Sequence, residues 1–93
     1  MEIQFTARRM SGDEEHEHIA LLWWKNPADG STGFSERAVL VKWIEDKVGT
    51  AYTDDGRGNR AQVFVRTSAH GVKFLQTYAD GVWTNNLLAL PKR

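Results

Sequence analysis

His16 and His18 come nearest, in type and spacing, to a chemical site in this 93-residue chain. Two positions apart in a strand, side chains share a face, so both imidazoles would reach one metal ion. His70, or one of Glu14, Glu15 and Glu17, would then complete a ligand set that suits zinc without cysteine. The competing reading is that the pair only leads a strand out of an acidic loop, each ring hydrogen-bonded to its neighbours. Two histidines at this spacing are common by chance, and the HExxH arrangement is absent. A metal-binding protein or small metal-dependent enzyme is therefore carried as the alternative, and no cofactor is assigned.

Other catalytic patterns fail on context. Gly56–Ala61, GRGNRA, fits the loose dinucleotide pattern GxGxxA but runs into the strand-like AQVFV, where a phosphate site needs a helix N-terminus. Aligned on Asp54, the same loop is no EF-hand, because its third position is Gly56, which offers no ligand oxygen. Ser11, Ser31, Ser35 and Ser68 lie in no GxSxG elbow, and Ser68 with His70 only shares a turn. No catalytic residue is assigned, and the chain reads away from an enzyme.

The elements that would position these residues belong to one domain, residues 1–93. A content of 41% hydrophobic and 26% charged residues describes a single globular core. There is no cysteine, so disulfides, thiolate catalysis and thiolate metal sites are excluded. The first ten residues hold no apolar run of signal-peptide length, and no stretch approaches the roughly 20 apolar residues of a membrane span. The expected location is the cytoplasm, without membrane contact.

Net charge is zero but uneven: residues 1–46 hold five Lys/Arg against nine Asp/Glu, and residues 47–93 hold seven against three. Halves of −4 and +4 can attract each other within or between chains. Nucleic acid is disfavoured as a partner, since its binders carry a basic excess on one face, although Arg57, Arg60, Arg66 and Lys73 could form a local patch.

Along the chain, residues 2–9 alternate, with Ile3, Phe5 and Ala7 on one face and Gln4, Thr6 and Arg8 on the other, which predicts a half-buried strand. His16–Lys25 predicts a second strand, apolar on both faces, while a helix through IALLWW is the alternative because so short an apolar run fits either period. Asn26–Gly33 holds five turn-favouring residue types and predicts a loop. Ser35–Val48 predicts the helix, with Ser35 as N-cap, Phe34 and Val39 as a hydrophobic staple, and Val39, Leu40, Trp43, Ile44 and Val48 on its apolar face. Lys47 and Gly49 suit its C-terminus, Gly49 as the left-handed cap. Ala51–Thr53, Ala61–Arg66 and Val72–Ala79 predict three further strands. Asp80-Gly81 predicts a tight turn that pairs Thr77–Ala79 with Val82–Thr84. Leu87, Leu88 and Leu90 are too apolar to stay in water and predict a docked tail that ends at Pro91. The expected fold is α+β: a single antiparallel sheet with one helix on one face, in the order β-β-α-β-β-β.

Ala7–Gly12 (ARRMSG), His16–Ile19 (HEHI) and Thr77–Pro91 (TYADGVWTNNLLALP) resemble the signature stretches of a small bacterial family catalogued only as a domain of unknown function. The resemblance supports a single domain and implies no activity, cofactor or site residue.

Four tryptophans in 93 residues are the remaining signal. Trp23 and Trp24 are neighbours on a strand, so only one can face the helix. The other, with Phe64 and Trp83, then forms either a second core layer under the Leu87–Leu90 tail or a contact surface, where aromatic residues are enriched. The expected function is a small non-catalytic interaction module in which Trp23, Trp24, Phe64 and Trp83 contact a second copy of the chain or another protein. An inhibitor protein of a mobile element is a third reading, resting only on size and the absence of catalytic motifs.

Overall fold

The alternating residues at the N-terminus form strand β1 (Glu2–Met10), an interior strand of a seven-stranded sheet in the computed structural model, which describes residues 1–93. A single 3₁₀ turn (His16–His18) leads into β2 (Ile19–Lys25), followed by β3 (Thr32–Glu36), the helix α1 (Arg37–Glu45), β4 (Thr50–Asp54), β5 (Arg60–Thr67), β6 (Lys73–Ala79) and β7 (Val82–Thr84). Across the sheet the order is β3-β2-β1-β4-β5-β6-β7.

This corrects the expected single antiparallel sheet in two ways. The β1–β4 pair is parallel, Ile3 lying beside Ala51 and Gln4 beside Tyr52, so the sheet is mixed. A crossover through a helix brings the chain back to the end of the sheet it left, and α1 carries it from β3 over to the far side of β1. The second departure is β3 itself, which occupies part of the predicted loop and the predicted start of the helix. Its five residues pair in unbroken register with β2, from Leu21–Glu36 to Lys25–Thr32. Cross-strand pairing outweighs the turn propensity of Thr32 and Gly33. Gly33 fits because a Cβ there would lie 2.7 Å from the Trp24 ring.

The helix is shorter than predicted. Ser35 is not its N-cap but a strand residue accepting a hydrogen bond from Trp24 Nε1. The first cap position falls to Glu36, which makes no side-chain capping bond. Phe34 and Val39 do not staple, since both are exposed. At the other end Lys47, not Gly49, takes the left-handed conformation, with φ 57°. The Lys47 amide donates to Ile44 O and the Val48 amide to Trp43 O, the paired bonds of a Schellman cap. Gly49 serves close approach instead, because a Cβ would meet the Trp43 ring and lie 2.6 Å from Met1 O.

One cluster forms the core: Ile3, Phe5, Ile19, Leu22, Leu40, Val41, Ala51, Val63, Leu75 and Leu87, with Trp24 and Trp43 packed against it. A bulge between Phe5 and Ala7 breaks the simple alternation of β1. Beyond it Arg8 pairs with Leu22 and is buried, whereas Arg9 pairs with Leu21 on the Trp23 side. The apolar tail docks as expected, Leu87 being fully buried. Order does not end at Pro91, however. The Arg8 amide donates to Pro91 O and the Arg93 amide to Arg8 O, so the last three residues lie along β1. Arg8 secures this strap by donating to Leu88 O at 2.6 Å and to Glu14 at 2.9 Å. A hydrogen bond from Lys92, with the charges of Arg8 and Lys92, holds the Glu14 carboxyl below its ordinary range.

Candidate functional site

Side chains alternate across a strand, so residues adjacent to core positions fall on the opposite face of the sheet. Trp23 follows from Trp24, Tyr52 from Ala51, Phe64 from Val63, and Tyr78 and Trp83 from their pairing with each other and with the β5 register. No α-helix covers this face, and only the 3₁₀ turn reaches it, His16 packing on Phe74. Arginines cover its rings instead, their guanidinium groups stacking on π-faces while the stems lie on apolar surface. Arg9 and Arg93 lie 5.2 and 4.8 Å from the Trp23 ring, Arg60 lies 4.4 Å from Tyr52, and Arg66 lies 4.2 Å from Trp83.

Three rings meet on this face, and of them only Trp83 lies under an arginine. Phe64 packs edge-on against Tyr78 and Trp83, with centroids 6.3 and 6.2 Å away, and Tyr78 and Trp83 meet at 5.0 Å. The Asp80-Gly81 turn, with φ of 53° and 83°, fixes the last pair by setting Tyr78 directly across from Trp83. Each residue of the trio keeps about two-fifths of its surface in water: 39% for Phe64 and Tyr78, 42% for Trp83. Arg66 is held beside them by donating to Gln76 Oε1, and Gln76 Nε2 donates to Thr84 O. The trio lies next to β7, whose outer edge carries no further strand.

The predicted contact residues therefore separate. Phe64 and Trp83 come together, joined by Tyr78. Trp23 lies on the same face but two arginines and Phe34 surround it, the Phe34 ring 5.6 Å away. Trp24 is the tryptophan that faces the helix, lining an apolar pocket with Ile3, Leu40 and Trp43. Tyr78 was readable from the sequence, because a two-residue turn at Asp80-Gly81 dictates its partner. The arginine caps were not, since the bulge in β1 and the C-terminal strap set Arg9 and Arg93 in place.

His16 and His18 lie in the 3₁₀ turn rather than in a strand, so their side chains do not share a face as the two-residue spacing implied. His16 is buried beside Phe74, with ring centroids 6.3 Å apart and Nε2 without a partner. Burial holds its pKa below the ordinary 6.5, with Glu17 opposing and Arg66 reinforcing. His70 sits in the exposed Ser68–Gly71 turn, its amide bonded to Ser68 Oγ. No three His, Asp or Glu side chains are grouped to hold a metal ion, and no helix is long and apolar enough to cross a membrane.

Fold and surface together define a small mixed-sheet domain with one helix-covered face and one aromatic, arginine-capped face. The chain belongs to the family described as "Protein of unknown function (DUF3892)", which matches residues 4–91. No curated protein and no solved structure matches it.

Proposed function

We propose that this domain acts by binding in the cytoplasm, presenting Phe64, Tyr78 and Trp83 to an extended segment of another protein. The observation that carries this reading is the edge-packed trio itself, three rings that meet edge-on in residues about two-fifths exposed, of which only Trp83 lies under an arginine. Rigid aromatic side chains give large contact area at small entropic cost, and they concentrate at the centres of interfaces. The trio lies at the end of the sheet beside the short strand β7, so an extended partner can lay its side chains across the rings with few backbone bonds to that edge. Arg66 favours an acidic side chain in that segment, because its guanidinium already lies over Trp83 and has donors to spare.

A photo-crosslinking residue at Phe64, introduced into the full chain in its source cells, tests the reading. The expected result is one light-dependent adduct to a different protein, mapped to an apolar and acidic segment and abolished by Trp83→Ala. Adducts only between copies of this chain, or none, would contradict it.

A further inference from the structure

The two free edges of the sheet are built differently. β7 is three residues long and confined between turns, the usual way of blunting an edge. β3 is five residues long, Thr-Gly-Phe-Ser-Glu, with no proline, lysine or bulge, and its outer edge makes no backbone hydrogen bond to any other part of the chain. Apolar surface flanks that edge on both sides. Phe34 is 61% exposed on the aromatic face, and Val39, 58% exposed, lines a pocket with Ser35 on the helix side. An unprotected, unpaired edge of this kind is a template for another strand.

We infer that β3 pairs with β3 of a second copy of this chain, antiparallel and about a two-fold axis at Phe34, to make one continuous sheet. The occupant follows from self-complementarity. In that register Phe34 opposes Phe34 of the second copy, so Trp23 and Phe34 of both copies form one aromatic row across the seam. Gly33 opposes Ser35, and small residues thus meet where the Trp24 ring leaves no room for large ones. Thr32 opposes Glu36, which brings Glu36 of one copy across the short Thr32 side chain from Lys25 of the other, since Lys25 is the β2 neighbour of Thr32. Neither Lys25 nor Glu36 has an ion-pair partner within its own chain. An isologous contact makes this ion pair twice. The inference stands apart from the trio at the other end of the sheet.

Sedimentation of the full chain over a concentration series tests it. The wild type should pass from monomer to dimer, and Phe34→Lys, which changes an exposed side chain, should weaken that dimer by at least about tenfold. Lys25→Glu should weaken it as well, and Lys25→Glu combined with Glu36→Lys should restore it. Restoration by the double reversal is specific to the β3 register and guards against a fold defect in any single variant. A wild type that stays monomeric at every concentration would overturn the inference. So would a dimer indifferent to Phe34→Lys, or one that the double reversal fails to restore.

Discussion

The two faces of this sheet solve the same problem in different ways. On one, α1 and the Leu87 tail bury aliphatic side chains around Phe5, Leu22, Val63 and Leu75. On the other, only the 3₁₀ turn adds cover, His16 packing on Phe74, and arginines from β1, β5 and the C-terminal strap lie over tryptophan and tyrosine rings. The first face gains stability by excluding water, at about 25 cal/mol per Å². The second reaches solubility by lending charged groups to aromatic surface, each contact adding about 0.5–1 kcal/mol where exposed. The chain forms a single α-helix, and arginine caps need no second one. Phe64 and Tyr78 carry no arginine, and Arg66 lies over Trp83 beside them.

Neighbouring residues on one strand sharpen the contrast most. Trp24→Ala should cost about 3–5 kcal/mol in urea unfolding, because it empties the space between β2, Leu40 and Trp43. Trp23→Ala removes only capped surface and should cost about 1 kcal/mol; equal losses would erase the difference between the faces. Leu87→Ala, at the fully buried point of the tail, should cost about 3 kcal/mol by the same measure.

A smaller effect lies at the 3₁₀ turn. Since burial lowers the folded pKa of His16, the unfolded chain binds the proton first, near 6.5. Stability is then full above that pH and declines as pH falls below it. Thermal melts between pH 7.5 and 5.5 should show this decline reduced in His16→Gln, and an unchanged slope would remove His16 as its source. Smallest is Lys47→Gly, which relieves a left-handed lysine at the Schellman cap and should raise stability by about 0.5–1 kcal/mol.

Much of the covered face was legible in the sequence. The alternation at Ile3 and Phe5, the Asp80-Gly81 turn and the Leu87 tail all follow local rules, and each is present. The rest depends on pairing between distant segments. Thr32-Gly33 has loop propensities and becomes strand because β2 offers a partner, which in turn moves the helix start from Ser35 to Arg37. The bulge in β1 carries no sequence mark, yet it decides that Arg8 is buried and Arg9 caps Trp23. The aromatic site was half legible. Phe64 and Trp83 follow from period-2 alternation, whereas the exclusion of Trp24 and the capping of Trp23 required the fold.

The contrast between the faces is tested most directly within β5, where Val63 and Phe64 are adjacent and point opposite ways. Urea unfolding of Val63→Ala and Phe64→Ser, measured side by side, should show a loss of about 2 kcal/mol for the buried valine and under about 1 kcal/mol for the far larger phenylalanine. A loss for Phe64→Ser equal to or above that of Val63→Ala would mean that the aromatic trio is a second core holding the fold together, and not a surface kept open for a partner.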